Sequence, residues 1–155
     1  MAKSFELDIS AFLHALDDAG DTIADGAKRG MHKALEEWQR DAVNLAPLYV
    51  RKGPKDKRPS GALRASIHTK VEGDGLDVTG EISAAVVETD KRGRRFDYAY
   101  YLHEVYPQKH GRSFKHPSTS GTIPEFIETP AVYKSDQWLH DIENEIKDEL
   151  KRKGW

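Results

Sequence analysis

The sequence predicts a single domain of the α+β class, with a long N-terminal helix and a C-terminal helix packed on a small antiparallel β-meander, with long flexible loops. Three patterns predict this: a helical apolar repeat over about 21–46, alternating apolar positions over 63–88, and a second helical repeat near the C-terminus. The chain has 155 residues, a length that suits one domain covering 1–155.

The first helix is predicted by apolar residues at intervals of three and four: Ile23, Ala27, Met31, Ala34, Leu35, Trp38, Ala42 and Leu45. This spacing places them on one helical face. Asp21 or Thr22 can cap the start, and Pro47 ends the helix because the residue before a proline is disfavoured in the helical region. The helix is therefore expected to be about 39 Å long. A short strand over Phe5, Leu7 and Ile9, running into a short helix near Ser10, is expected before it.

The meander is predicted by two alternating segments. Ile67, Thr69 and Val71 alternate with polar residues, and the alternation resumes over 76–86 after the turn-forming stretch 73–75. Gly80 interrupts the second segment, which indicates a bulge or kink. We therefore expect two or three antiparallel strands.

The second half of the chain is predicted to contain a long loop and a helix. Residues 98–107 are aromatic and apolar, and they fit a short helix or a strand that Pro107 closes. Residues 108–123 are rich in turn-forming and basic residues, so a flexible loop is expected at about 107–124. The glycine, prolines and basic residues within 51–59 predict another flexible loop at about 47–60. The last helix has an apolar stripe: Trp138, Leu139, Ile142, Ile146 and Leu150.

Composition excludes several classes of protein. The chain has no cysteine, so a disulfide framework and a thiolate metal site are excluded. No apolar run approaches the roughly 20 residues of a membrane span, and the N-terminus lacks the apolar core of a signal peptide. We therefore expect intracellular synthesis. With a net charge of −2, nucleic-acid binding would depend on local patches.

Catalytic chemistry has weak support in the sequence. His103 and Glu104 are adjacent, and neighbouring side chains do not converge on one site. His103, His110 and His116 match no metal-ligand spacing, and no established nucleophile, phosphate-loop or zinc motif is present. The sequence thus predicts no catalytic, cofactor-binding or metal residues, and a hydrolase built on His103 and Glu104 is kept as a lesser alternative.

Three stretches are basic: 51–58, 91–95 and 109–116. Brought together, they would form a surface able to follow a phosphate backbone without sequence preference. They could equally order on a protein partner or be solvated surface loops. The residues expected to contact DNA or a partner are Arg51, Lys52, Lys55, Lys57, Arg58, Arg94 and Arg95.

Four short motifs occur in a fixed order. Ala46-Pro47 is followed, after a variable loop, by Ser60-Gly61-x-Leu63-Arg64-x-Ser66-Ile67. Tyr98-Ala99-x-Tyr101-Leu102-His103-Glu104 comes next, and Phe126-Ile127-Glu128-Thr129-Pro130-Ala131 leads into the last helix. Together these motifs resemble the neck, tail-completion or minor capsid proteins of long-tailed phages and prophages, related to the lambda-like minor tail protein Z group.

The resemblance covers about 20–150, with two departures. Val105-Tyr106-Pro107 stands where the family often has Gly-Thr, and the 107–124 loop is longer than in compact members. The branch, whether neck, tail completion or minor capsid, therefore stays open. Within the motifs, Leu63 and Ile67 are expected in the core, and Glu104 as a buried or partner-facing carboxylate.

The resemblance implies a structural virion protein without enzymatic activity or cofactor. It would be made in the host cytoplasm and act in head–tail joining or tail completion, as a subunit of a homo-oligomeric ring at the head–tail junction. Its implied partners are the head connector and the tail tube or terminator proteins, with non-specific proximity to DNA and no membrane. The alternative function is a small, non-specific nucleic-acid-binding domain that uses the basic loops.

Overall fold

A computed structural model describes residues 3–10, 20–48, 53–55, 60–75, 77–89, 91–117 and 119–155. The α+β class is confirmed. The elements are β1 (Lys3–Asp8), α1 (Gly20–Leu45), α2 (Ala62–Ala65), β2 (His68–Glu72), β3 (Thr79–Ala84), β4 (Val87–Thr89), β5 (Arg95–Asp97), α3 (98–110) and α4 (Glu128–Arg152). Within α3, a π-helical turn, Tyr101–Val105, separates the α-helical stretches Tyr98–Tyr100 and Tyr106–His110.

The main sheet has three antiparallel strands in the order β1-β3-β2, so the N-terminal strand joins the two strands of the meander. Strands β4 and β5 pair separately as a two-stranded ribbon. The expected bulge at Gly80 is wrong, because Gly80 pairs in register with Leu7 on one side and Val71 on the other.

Gly80 has a different role, which is to let α1 approach the sheet. A Cβ atom at this position would lie 2.5 Å from Sδ of Met31 and 3.0 Å from Cδ1 of Leu35. Gly80, Ile82 and Ala84 form the buried face of β3. Glycine in this strand thus marks a close helix–sheet contact rather than a break in the ladder.

The two long helices run antiparallel and almost touch along Gly26 and Gly30 of α1. A Cβ on Gly26 would lie 2.9 Å from Cα of Ile146, and a Cβ on Gly30 would lie 2.9 Å from Cα of Ile142. Since residues four apart share a helical face, the two glycines form one smooth strip that admits the backbone of α4. Helix α4 therefore packs mainly on α1, and α1 in turn contacts β2 and β3.

Ion pairs flank this contact. Arg29 donates to Glu149 at 2.7 Å, Lys33 pairs with Glu145, and Arg152 lies 2.8 Å from Glu149. The hydrogen bond from Arg29 stabilises the carboxylate of Glu149, so it holds the pKa of this nearly buried group below its ordinary value. The charges therefore fix the helices side by side at the edge of the apolar contact.

Segment 98–110 is helical, so the helix alternative was correct, but Pro107 does not close it. Pro107 lies in the first turn of the final α-helical stretch, where a missing N–H is tolerated. The π-helical turn puts residues five apart on one side, and the rings of Tyr101 and Tyr106 lie 6.3 Å apart. Gly111, with φ of 85°, ends the helix, and its N–H donates to the carbonyl of Pro107 at 3.0 Å.

The second predicted loop is shorter and more attached to the body than its composition indicates. Residues 107–110 belong to α3, Phe114 packs 5.2 Å from the ring of Tyr106, and Ile123 packs against the core. Of the first loop, 49–52 and 56–59 lie outside the described residues. The flexibility of both loops remains a prediction.

The glycine strip gives a direct test. Replacing Gly30 with alanine forces a methyl group against the backbone of α4, so we expect the free energy of unfolding to fall by about 1–3 kcal/mol. This outcome opposes the roughly 1 kcal/mol by which alanine favours an exposed helix position. Urea denaturation measures the change. Gly53→Ala is the control, because a Cβ there meets no described atom within 4 Å; unchanged or increased stability of Gly30→Ala would contradict the contact.

Acid should weaken the α1–α4 contact. The pKa of Glu149 is lower in the fold than its ordinary value, so its ionised form stabilises the fold above that ordinary value, and this stabilisation is lost as pH falls through the folded pKa. In Glu149→Gln, the free energy of unfolding should be lower at neutral pH and fall less steeply between about pH 5 and pH 3. Denaturation at several pH values, with Glu36→Gln on the exposed side of α1 as control, checks this. Equal slopes in the wild type and Glu149→Gln would refute it.

Candidate functional site

The C-terminal end of α1 is held by two other segments of the chain. The N–H of Ile123 donates to the carbonyl of Leu45 at 2.9 Å, and Nε of Arg64 donates to the carbonyl of Ala46 at 2.9 Å. The last carbonyls of a helix lack partners within the helix, and a cation near them is electrostatically favourable. Pro47 prevents the helix from continuing, so these carbonyls are satisfied by tertiary contacts.

Arg64 is placed by a short turn of helix. Gly61 has φ of 72°, a left-handed conformation that glycine adopts without strain, and α2 begins after it. The turn ends at Ser66, whose hydroxyl donates to the carbonyl of Leu63 at 2.7 Å. Leu63 and Ile67 enter the core, as predicted. Ser60 is exposed and precedes this turn.

The entry to α4 is fixed against the middle of α1. The indole N–H of Trp38 donates to the carbonyl of Ile127 at 2.8 Å. The rings of Trp38 and Trp138 are stacked with centroids 5.3 Å apart. Phe126 and Pro130 are buried, so this motif also serves packing. Its backbone is thereby tied to α1 at a residue that lies 89 positions earlier in the sequence.

The aromatic motif lies on α3. Ala99 is fully buried and Asp97 caps the helix by accepting from the N–H of Tyr100 at 3.2 Å. His103 is 4% exposed, and its ring lies edge-on to Phe126, with centroids 4.6 Å apart. This arrangement joins the third motif to the fourth.

His103 and Glu104 occupy the π-helical turn, where successive side chains point in different directions. Glu104 is half-buried. Both residues line a polar cleft of about 340 Å³ whose remaining walls are Pro107, Gln108, Arg112, Glu125 and Glu128. The described residues contain no group of three or more histidines, aspartates and glutamates that could hold a metal ion.

The four motifs therefore meet around α1, and most of their side chains serve packing. Pro47, Tyr98 and Tyr101 are half-buried at the edge of this framework. Tyr98 and Pro47 also line a cleft of about 360 Å³ together with the aromatic and basic side chains of Tyr106, His110, Phe114, Lys115 and His116.

The predicted basic contact residues are only partly placed. Arg51, Lys52, Lys57 and Arg58 lie outside the described residues, whereas Lys55 is exposed. Arg94 and Arg95 are exposed at the connection between β4 and β5. The convergence of the three basic loops into one surface stays a prediction.

Sequence reasoning missed the exposed apolar side chains. Val132 and Tyr133 on α4 are 70% and 83% exposed, and Val87 and Phe96 on the ribbon are 49% and 42% exposed. The sequence did carry a signal, because Val132 and Tyr133 precede the apolar stripe of α4 without being part of it. Contiguous exposed apolar surface commonly marks an interaction site.

Comparisons with protein-family models, with curated protein sequences and with solved structures give no match to this chain. Within the described ranges, no helix has both the length and the apolar character needed to cross a membrane.

The hydrogen bond from Arg64 to the carbonyl of Ala46 gives a direct test of the contact between the first two motifs. In Arg64→Met the aliphatic part is retained while the partly buried carbonyl of Ala46 loses its donor, so we expect a loss of about 1–3 kcal/mol in the free energy of unfolding. Arg64→Lys should recover only part of this loss because lysine lacks the planar guanidinium. Thermal or urea denaturation measures both. Arg40→Met, at an exposed position of α1, is the matched control; an equal effect at both sites would remove the special role of Arg64.

Proposed function

We propose that this chain is a structural virion protein of a tailed phage or prophage. It would act in head–tail joining or tail completion as a subunit of a ring at the head–tail junction. The observation that carries the proposal is that all four motifs of the resemblance interlock in one framework around α1. Arg64 binds the second motif to the first, and His103 lies against Phe126, which links the third to the fourth.

A framework of this kind suits a scaffold that presents surfaces. Leu63, Ile67, Ala99, Phe126 and Pro130 are all buried, so these motif side chains maintain the fold. The proposal assigns the chain no catalytic step and no cofactor. Among homologous proteins that share a framework, the loops around it vary more than the framework itself.

The proposed partners are further copies of this chain, the head connector, and the tail tube or terminator protein. A ring made from identical subunits uses head-to-tail contacts, in which two different surfaces of the chain meet. The exposed apolar side chains on α4 and on the ribbon supply surface for such contacts.

The basic stretch 51–58 is proposed to face the DNA channel, where charge without sequence preference is sufficient. Replacing Arg51, Lys52, Lys55, Lys57 and Arg58 together with serine should then reduce DNA retention in assembled particles. Unchanged assembly and unchanged retention would overturn this part of the proposal and leave the assembly role standing.

A second candidate function is non-specific nucleic-acid binding by the isolated chain. It is favoured by the exposed cationic turn Lys91–Arg95, next to Phe96, which is 42% exposed. Tight binding of DNA by the monomer at low salt, lost steeply as salt rises, would support this function.

The assembly role is tested by deletion in a phage that encodes this chain. Without it, electron microscopy should show heads and tails that do not join, or tails that remain incomplete. The intact reading frame supplied in trans should restore joined particles, and a frame with an early stop codon should not. Normal infectious particles without the chain would refute the proposal.

A further inference from the structure

A cleft of about 360 Å³ lies where α3 and the segment after it meet the end of α1, and we name it the α3 cleft. Tyr98, Tyr106 and Phe114 supply aromatic side chains to its walls, and Pro47 supplies a further apolar one. All four residues are half-buried, so each stays partly accessible to solvent. Pockets that hold small molecules measure about 300–1,000 Å³. The α3 cleft therefore has the size of a site for one small organic group.

The aromatic side chains of the α3 cleft support one another. The rings of Tyr106 and Phe114 meet edge to face with centroids 5.2 Å apart, and the ring of His110 lies 4.8 Å from that of Tyr106. In an edge-on contact, the ring that supplies the edge keeps both of its faces clear of the other ring. A flat conjugated group can therefore stack on an aromatic face in this cleft.

The walls of the α3 cleft are fixed to the body of the domain by backbone hydrogen bonds. The N–H of Tyr98 donates to the carbonyl of Val86 at 2.9 Å, at the start of α3. On the opposite side, the N–H of Ile123 donates to the carbonyl of Leu45 at 2.9 Å. The cleft is thus present before any ligand arrives, so binding does not have to order these segments.

The charged side chains of the α3 cleft are basic. Lys115, His110 and His116 line it and are exposed. Aspartate and glutamate do not occur among the described residues that line it. The stretch 109–116 as a whole contains three lysines and arginines, two histidines and no carboxylate. A cleft with cations and without carboxylates favours an anionic ligand.

We propose that the α3 cleft binds one nucleotide unit, with its base against the aromatic rings and its phosphate at Lys115. Stacking on an aromatic ring binds any base without sequence preference, and lysine binds phosphate as a point charge. A nucleotide carries a flat ring and an anion together, whereas an acidic side chain of a peptide is an anion without a ring. The unit belongs to a single strand or to a free nucleotide, because a duplex exposes only the edges of its bases.

The α3 cleft is distinct from the two surfaces proposed above to contact DNA, which are the stretch 51–58 and the turn 91–95. Neither contributes a described residue to its walls. The inference therefore goes beyond the proposed function, and it concerns the isolated chain whatever its place in a virion.

Binding is tested with the full chain and a fluorescein-labelled oligothymidylate of about 20 nucleotides, long enough to cover one site of the usual size. Fluorescence anisotropy at low salt should show binding. An unlabelled duplex of equal length should compete severalfold more weakly than the unlabelled single strand. Charge alone predicts the reverse order, because the duplex carries twice as many phosphates. Absence of binding, or stronger competition by the duplex, would overturn the proposal.

The stacking contact is tested by Phe114→Leu, which keeps an apolar side chain and removes the aromatic face. The dissociation constant for the single strand should rise by roughly fivefold or more. Phe96→Leu is the matched control, because Phe96 is an exposed aromatic residue outside the cleft. Circular dichroism of both variants establishes that the fold is retained. Equal losses in the two variants, or no loss in Phe114→Leu, would exclude stacking in the α3 cleft.

The phosphate contact is tested by Lys115→Gln, at an exposed position where loss of fold is not expected. The slope of log K against log salt should become shallower by about 0.7, the value for one phosphate of a single strand. Lys109→Gln is the control, since Lys109 is exposed in the same basic stretch and does not line the cleft. Equal changes of slope in the two variants would reduce the effect to general charge and contradict the assignment.

Competitors identify the ligand. Thymidine monophosphate that competes as well as the strand would assign the site to free nucleotides, and competition that requires the strand would assign it to single-stranded nucleic acid. Inorganic phosphate competing as well as thymidine monophosphate, or a peptide of alternating glutamate and tyrosine competing as well as the strand, would reject a nucleotide site. None of these results decides the virion role, which the deletion experiment tests separately.

Discussion

The close approach of the two long helices is the constraint on which the rest of the structure depends. It exists because Gly26 and Gly30 have no Cβ atoms, which would lie only 2.9 Å from the Cα atoms of Ile146 and Ile142. This approach lets Trp138 stack on Trp38. It also brings the carboxylate of Glu149 within 2.7 Å of Arg29. A wider spacing would open voids along the contact, and apolar contacts lose much of their attraction over less than an ångström.

Contacts at the C-terminal end of α1 join this helix pair to other segments of the chain. The final carbonyls of α1 accept from Arg64 and Ile123, which come from segments far apart in sequence. Trp38 holds the entry to α4 through the carbonyl of Ile127. Because each of these donors satisfies a group that burial would otherwise penalise, the framework is specified by hydrogen bonds as well as by apolar burial. Exposed apolar side chains remain outside this framework, on α4 and on the ribbon.

Periodicity predicted the long helices well, since apolar residues at helical spacing report directly on a buried face. The second motif, rather than periodicity, placed Leu63 and Ile67 in the core, and both are buried. Prediction from local pattern failed at Gly80 and Pro107, where the residue type suggested a break. Gly80 is needed for the approach of Met31, and Pro107 is tolerated after a π-helical turn. Such positions depend on neighbours that a local pattern does not contain. The exposed Val132 and Tyr133 lie outside the apolar stripe of the same helix, so helical periodicity does not indicate them.

The sequence by itself determined the α+β class, the two long helices, the strands that alternate, and the order of four motifs. These properties are local, because spacing and backbone preference act over a few residues. Only the tertiary structure decided that β1 pairs with β3, that α4 packs on α1, and that Arg64 caps the end of α1. These are contacts between distant segments, chosen by shape and by the need to satisfy buried polar groups, and no short stretch of sequence carries that information alone.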